Sequence, residues 1–301
     1  MNIMILVNKD FEYAGYRAGV DSRIRANAVP SLCEIACDTG VGPDKSHISR
    51  MYKVGDNTIR EYCISYLFPA GANTSNSEMK YALVRNLIKQ ESEKYDIDLI
   101  ISVSTSESTE DAQGEYDSVN GCVFIGNKYF ARNCRDCDMD SESYLEVRNQ
   151  YYKGLVDQKI FDSIEENKDK IKTGMKVPPN TPNDNPFVCG SYDFVSLGII
   201  NVMNYSGYET ADPKTYDEYI DKGKIGKPVC LETTHAVVKM AEFAVLEHKT
   251  PVLFVSPIVD RFKHFGDDVD GKWGGQNLTS SYNAGVVVAN MMEYVINNLY
   301  K

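Results

Sequence analysis

Short apolar runs alternate along this chain with segments in which apolar residues recur at helical spacing. Ile3 to Val7 is a continuous apolar run that empties into the polar turn Asn8-Lys9-Asp10 and then Phe11-Glu12-Tyr13. This pattern predicts a buried first strand followed by a loop carrying Glu12. Between Glu78 and Lys94, Met79, Leu83, Leu87 and Ile88 recur at helical spacing, and Asp98-Leu-Ile-Ile-Ser-Val103 follows as a buried strand. The small polar run Ser104 to Thr109 reads either as a ligand loop at the carboxyl end of that strand or as a plain solvated loop. Gly121 to Gly126 is a further strand, and Glu142 to Lys172 is charged and helical in pattern.

The second half repeats the alternation. Lys176 to Pro186 carries four prolines and cannot be regular structure, so it reads as a mobile loop, while Pro213 to Lys227 is another polar excursion. Pro228 to Leu231 predicts a strand. His235 to His248 predicts a helix with Val237, Val238, Ala241, Ala244 and Val245 on its apolar face, and Val252 to Ser256 another strand, together a β-α-β unit. A long helix from Ser281 to Leu299 closes the chain. The expectation is a single α/β domain over residues 1–301, a central mixed sheet flanked by helices.

Composition narrows the function classes. The chain has 301 residues, 43% of them hydrophobic, with 43 acidic against 32 basic side chains and a formal net charge of -11. That balance argues against affinity for nucleic acid or anionic lipid, which need clustered Lys and Arg. No apolar stretch approaches the roughly 18 residues that span a bilayer, and Ile3 to Val7 is too short for a signal-peptide core, so the expected location is the cytoplasm. Eight cysteines at irregular positions fit reduced thiols. Cys134-Arg-Asp-Cys137 is the exception, a CxxC that reads as half a zinc site or a redox pair; no second CxxC or CxxH lies near it.

Three carboxylates fall at predicted strand ends: Glu12, Glu232 and Asp260. Ligands of open α/β sheets bind at that edge, so the three can converge on one pocket, although such residues also serve as helix N-caps. Arg261 directly follows Asp260 and is placed to pair with it, which would hold that carboxyl ionised. His235 is either a helix cap or a ligand contact.

The arrangement resembles the superfamily of purine nucleoside phosphorylases and 5'-methylthioadenosine/S-adenosylhomocysteine nucleosidases. Met1-Asn-Ile-Met-Ile-Leu-Val leads to Glu12 as the nucleosidase strand leads to the carboxylate that activates water. Asp98-Leu-Ile-Ile-Ser-Val-Ser-Thr-Ser-Glu looks like the strand ending in the family's ligand loop, and Ser118 to Gly126 is similar to the strand after it. Cys230-Leu-Glu-Thr-Thr-His-Ala-Val resembles the segment whose carboxylate binds ribose hydroxyls, and Pro251 to Asp260 the strand ending in the Ser-Asp pair that faces the purine. The family's Gly-x-Ala-Gly-Gly loop is replaced by Ser104-Thr-Ser-Glu-Ser, Val259 stands where Ser is usual, and Glu232 lies a few residues further from Asp260 than in the nucleosidases.

The resemblance implies cleavage of a purine nucleoside at its N-glycosidic bond, with Asp260 as acid at the base, Glu12 on the attacking water, and Glu232 with Thr233 on the ribose. Ser104 and Thr105 would line the ligand loop, and Phe194 or Tyr192 would stack on the base, though Phe194 also reads as core. Hydrolysis is preferred, because the glycine-rich phosphate loop is missing and Glu107 would repel phosphate. Phosphorolysis is the alternative, with Arg17, Arg23 and Arg25 on the phosphate, although three arginines in nine residues also make a solvated helix face. A second alternative is a non-catalytic nucleoside- or nucleotide-binding protein of the same fold. No metal or cofactor is implied, a small-molecule substrate is the expected partner, and the family implies a homo-oligomer.

Overall fold

The computed structural model describes residues 1–29, 32–35, 50–116, 118–133, 150–200, 226–262, 264, 268 and 273–299. The expected Pro213–Lys227 excursion lies mostly outside these residues, and Cys134 and Cys137 wholly so.

Thirteen described strands form one mixed sheet. β1 (Asn2–Val7) lies between β4 (Asn57–Cys63) and β5 (Leu99–Val103), parallel to both. β3 (Arg50–Val54) pairs antiparallel with β4, and β2 (Leu32–Ile35) pairs antiparallel with β3 at that edge. On the other side come β13 (Val252–Arg261), β6 (Ser106–Ser108), β12 (Lys227–Glu232), β11 (Phe194–Ile200), β8 (Lys128–Asn133) and β9 (Gln150–Lys153). β7 (Val123–Gly126) pairs antiparallel with β13, and β10 (Val188–Gly190) runs parallel to β7. β1 and β5 are almost wholly buried, which is why they read as unbroken apolar runs.

Helices cover both faces. α1 (Asp10–Arg25) and α7 (Trp273–Asn298) pack together on one, joined by α4 (Gln158–Glu166) and α5 (Lys168–Ile171); α2 (Ser77–Ser92) and α6 (His235–Leu246) pack on the other. The short α3 (Glu110–Glu115) follows β6 and packs against β12. No described helix is long and apolar enough to cross a membrane.

Several expectations are corrected. Glu12 stands in the first turn of α1, not in a loop, because Asp10 and Glu12 suit a helix N-terminus and the inward face is mostly Tyr13, Gly15, Tyr16 and Gly19, with Val20 as its one buried aliphatic residue. The run after Val103 is not all loop, since Ser106–Ser108 inserts as a strand between β13 and β12. Those two strands are therefore not adjacent, and β12 is antiparallel to the inserted strand while β13 is parallel to it. β13 itself runs five residues beyond Ser256, so Asp260 is within a strand. Of the charged segment expected to be helical, residues 150–153 are β9. The Pro-rich stretch is irregular as expected but tied to the body: Asn183 Nδ2 donates to Asn120 O at 2.6 Å, and Lys176 N to Asn283 Oδ1 at 2.7 Å.

Candidate active site

β1 and β5 end in register, Val7 beside Val103, and the chain leaves β1 through Asn8, whose N–H donates to Val103 O at 3.1 Å. One helical turn later the Glu12 carboxylate lies against the end of β5. Thr105 donates to it twice, its N–H to Oε2 and its hydroxyl to Oε1, both at 3.1 Å, and Asn8 Nδ2 donates to Oε1 at 3.3 Å. Asn8 also donates to Ser104 Oγ at 3.3 Å. Glu12 is buried, and desolvation raises its carboxyl to about 7 against the pull of Lys9, Thr105 and Lys80. Such a group serves as a general base near neutral pH.

Glu232 ends β12 and is buried as well. Ser196 Oγ donates to Oε1 at 2.8 Å, while Oε2 accepts the backbone N–H groups of Thr234 and His235, the latter at 2.6 Å. Its side chain thus caps α6, whose own N-cap residue, Thr234, makes no side-chain cap bond. Thr233 is half-buried in the turn between.

A residue that the sequence reading passed over sits between these carboxylates. Lys80 on α2 is 1% exposed, and its Nζ donates to Thr233 O at 3.4 Å and Thr234 Oγ1 at 3.0 Å. Burial, with Lys9 nearby, lowers its ammonium to about 8, while Glu232 and Glu12 act the other way. The signal was present: counting back from Ile88, Leu87 and Val84 at helical spacing reaches Lys80, whereas Met79 and Leu83, the positions chosen, are only half-buried.

Asp260 is the third carboxylate. The pairing of β13 with β6 steps from Ile258 beside Ser106 to Asp260 beside Glu107, so Val259 is the extra residue of a bulge. A bulge reverses the alternation beyond it, giving Asp260 a different face from the one a regular strand would. Burial, and secondarily Asp268, raises its carboxyl to about 8, which keeps it protonated at neutral pH. The expected ion pair with Arg261 is not formed: Arg261 donates through N–H, Nε and Nη2 to Asp268, with Nη2 to Oδ1 at 2.8 Å. No hydrogen bond from a described residue reaches the Asp260 carboxyl. A buried acid with a bound proton is suited to protonating a ligand.

Other sequence candidates lie elsewhere. Phe194 begins β11 in the core beside Phe124, and four residues separate it from Gly198, the register partner of Glu232, about 13 Å along the strand. Tyr192 precedes it, edge-on to Phe161 and under Lys128. Arg17 is exposed over Tyr13, Arg23 donates to Asn290 Oδ1 at 3.0 Å, and Arg25 is exposed at the far end of α1. Glu12 and Arg23 are eleven residues apart, about 16 Å along the helix, and at about 100° per residue Arg17, Arg23 and Arg25 do not share one face of α1. His235 is fully buried, with Nδ1 at 2.8 Å from Ser102 Oγ and Nε2 at 2.8 Å from Ser256 Oγ; burial lowers its pKa and it is a core residue. Among the described residues no group of three His, Cys, Asp or Glu is placed to hold a metal ion.

No protein-family model matches the chain, and no curated protein matches it. Solved structures do. A methylthioadenosine phosphorylase from an antarctic soil metagenomic library is similar with a TM-score of 0.56 at 12% identity, covering 99% of this chain and 88% of that one. The Campylobacter jejuni 5'-methylthioadenosine/S-adenosylhomocysteine nucleosidase gives 0.54 at 12%, covering 97% and 99%. The corresponding nucleosidase of Colwellia psychrerythraea, solved in complex with adenine, gives 0.52 at 9%, covering 98% and 96%. Over nearly its whole length, this chain has the fold shared by methylthioadenosine nucleosidases and methylthioadenosine phosphorylase.

Proposed function

We propose that this protein hydrolyses the N-ribosidic bond of a purine nucleoside. The observation that carries the reading is the setting of Glu12. At the carboxyl end of β5, the Thr105 N–H and hydroxyl, the donors an anion would need there, are already given to the Glu12 carboxylate. With that loop occupied, water is a better nucleophile for this site than phosphate. The adenine bound by the Colwellia neighbour supports a purine.

In this reading Glu12 takes a proton from water as its oxygen bonds to C1' of the ribose. The C1'–N9 bond breaks, its electron pair leaves with the base, and Asp260 delivers its proton to N7, so that free purine and ribose result. The transition state carries positive charge on the sugar, which the Glu12 and Glu232 carboxylates offset, and negative charge on the base, which the Asp260 proton neutralises. Glu232 holds the ribose hydroxyls through the acceptor capacity that its helix cap leaves. Ser104, Thr105 and Thr233 line the space between. Phe194 and Tyr192 take no part, and neither do Arg17, Arg23 and Arg25. The test is release of free base from nucleosides without phosphate.

A further inference from the structure

We propose that Asn120 and Asp268 are positioning residues of this site: their side chains grip the two peptide units that flank Asp260, where strand pairing along that edge of β13 has run out. The proposal rests on the nucleosidase reading for its kinetic consequence and on hydrogen bonds of the ligand-free protein for its physical one.

Along one edge β13 pairs antiparallel with β7, from Phe254 beside Gly126 to Pro257 beside Val123. The chain just before β7 carries the pairing one residue further: Ile258 N–H donates to Cys122 O at 2.9 Å, and Ile258 O accepts the Gly121 N–H at 2.7 Å. Beyond Ile258 side chains take over. Asn120 Nδ2 donates to Val259 O at 3.0 Å, and Arg261 N–H donates to Asp268 Oδ2 at 2.8 Å. The Val259 carbonyl belongs to the peptide unit before the Asp260 Cα and the Arg261 N–H to the unit after it, so the two bonds fix the backbone on both sides of the acid. The bulge at Val259 disturbs the ladder to β6 at this same place, which leaves the strand in need of such a hold.

The two side chains brace one another. Asn120 Nδ2 also donates to Asp268 Oδ2 at 3.2 Å, and Arg261 gives Nε and Nη2 to the same carboxylate at 3.1 and 2.8 Å. With its amide turned over, Asn120 would set an oxygen against a carbonyl and a carboxylate, so its partners fix its orientation. Its own backbone is anchored in turn: Asn120 O accepts Asn183 Nδ2 at 2.6 Å from the Pro-rich stretch, and Gly121 O accepts Asn283 Nδ2 at 2.9 Å from α7. Asn120 is fully buried and Asp268 is 2% exposed, so water competes little for these bonds. An acid that must meet a ligand nitrogen at hydrogen-bond distance depends on this kind of support, because small misplacements of a reacting group are costly.

Asn120→Ala removes the bond to Val259 O together with the brace on Asp268, and Asp268→Ala removes the acceptor of the Arg261 N–H. Each should lower kcat about tenfold to a hundredfold while KM and adenine affinity stay within about twofold. Asp268→Asn, which keeps one oxygen for that N–H, should lose less than Asp268→Ala. In an Asp260→Asn background Asn120→Ala should cost no more than about twofold, since a clamp on a missing acid has nothing left to align. An equal loss in both backgrounds, the mark of a merely structural role, would overturn the proposal, as would a kcat unchanged by Asn120→Ala. If the parent releases no base from any nucleoside, the nucleosidase reading fails and amide hydrogen exchange of the ligand-free protein alone decides. The Arg261 amide must be protected in the parent and exchange at least about tenfold faster in Asp268→Ala, while the amides of β1 keep their rates; an unchanged rate refutes the clamp. Should Asp268→Ala not fold, the parent itself still supplies the test, because an unprotected Arg261 amide there contradicts the clamp and a protected one upholds it.

Discussion

Burial raises the Glu12 carboxyl from 4.5 to about 7, so the folded chain binds a proton there more tightly than the unfolded chain does. The stability this contributes is fully present below the unfolded value and is lost as pH rises through about 7. Glu12→Gln, which needs no proton, should therefore be more stable than the parent at pH 8, by at most about 3 kcal/mol, and no more stable at pH 4.5. Thermal melts at the two pH values check this, and base release by the same variant should fall at least a hundredfold. Asp260→Asn should cut kcat about 10²–10⁴-fold while adenine binding, followed by calorimetry, persists. Loss of binding with turnover retained would reverse its assignment. The three carboxylates proposed to act stood out in the sequence as acidic residues after apolar runs, and all three are buried. Lys80 did not stand out, since a lysine on an amphipathic helix ordinarily belongs to the wet face. Nor could sequence show that Arg261 turns to Asp268, or that Phe194 sits at the other end of its strand.

The element that brings Glu12 to β5 is α1, and its position depends on how closely it meets α7. A Cβ on Gly19 would lie 2.1 Å from Tyr282 O, and one on Gly285 would lie 2.0 Å from Tyr16 O, so backbone touches backbone at this crossing and neither atom can swing aside. Gly19→Ala and Gly285→Ala should each cost about 1–3 kcal/mol in urea unfolding. Gly114→Ala in the exposed α3 meets nothing within 4 Å and should be neutral or slightly stabilising. Equal effects at all three positions would mean that the crossing is not tight. The same contact explains why α1 escaped the sequence reading: its inward face is mostly Tyr and Gly, and Val20 alone sets up no aliphatic rhythm. Helices α2, α6 and α7 bury aliphatic side chains at helical spacing and were legible, α2 and α6 with ends set two residues too far and α7 with its start set eight residues late.

Across the whole molecule the two halves of the sheet meet at β13, which pairs with β5 through Val252–Val255 and with β6 through Ile258–Arg261. The carboxylates come from both halves, Glu12 from the β1 side and Glu232 from the β12 side, with Asp260 on the strand they share. A mixed sheet was legible from runs and spacings. The insertion of Ser106–Ser108 between β12 and β13 was not, because three small or polar residues carry no strand signal and their partners lie more than a hundred residues away. That insertion sets Glu107 beside Asp260 and places the end of β12 near the loop of β5. The central claim is that these three carboxylates act together to split nucleosides with water. It is tested most directly by incubating the protein with adenosine, inosine, methylthioadenosine and uridine, with and without phosphate, and separating free base by chromatography. The account predicts purine release at the same rate in both conditions and none from uridine; release that requires phosphate, or no release from any purine nucleoside, would contradict it.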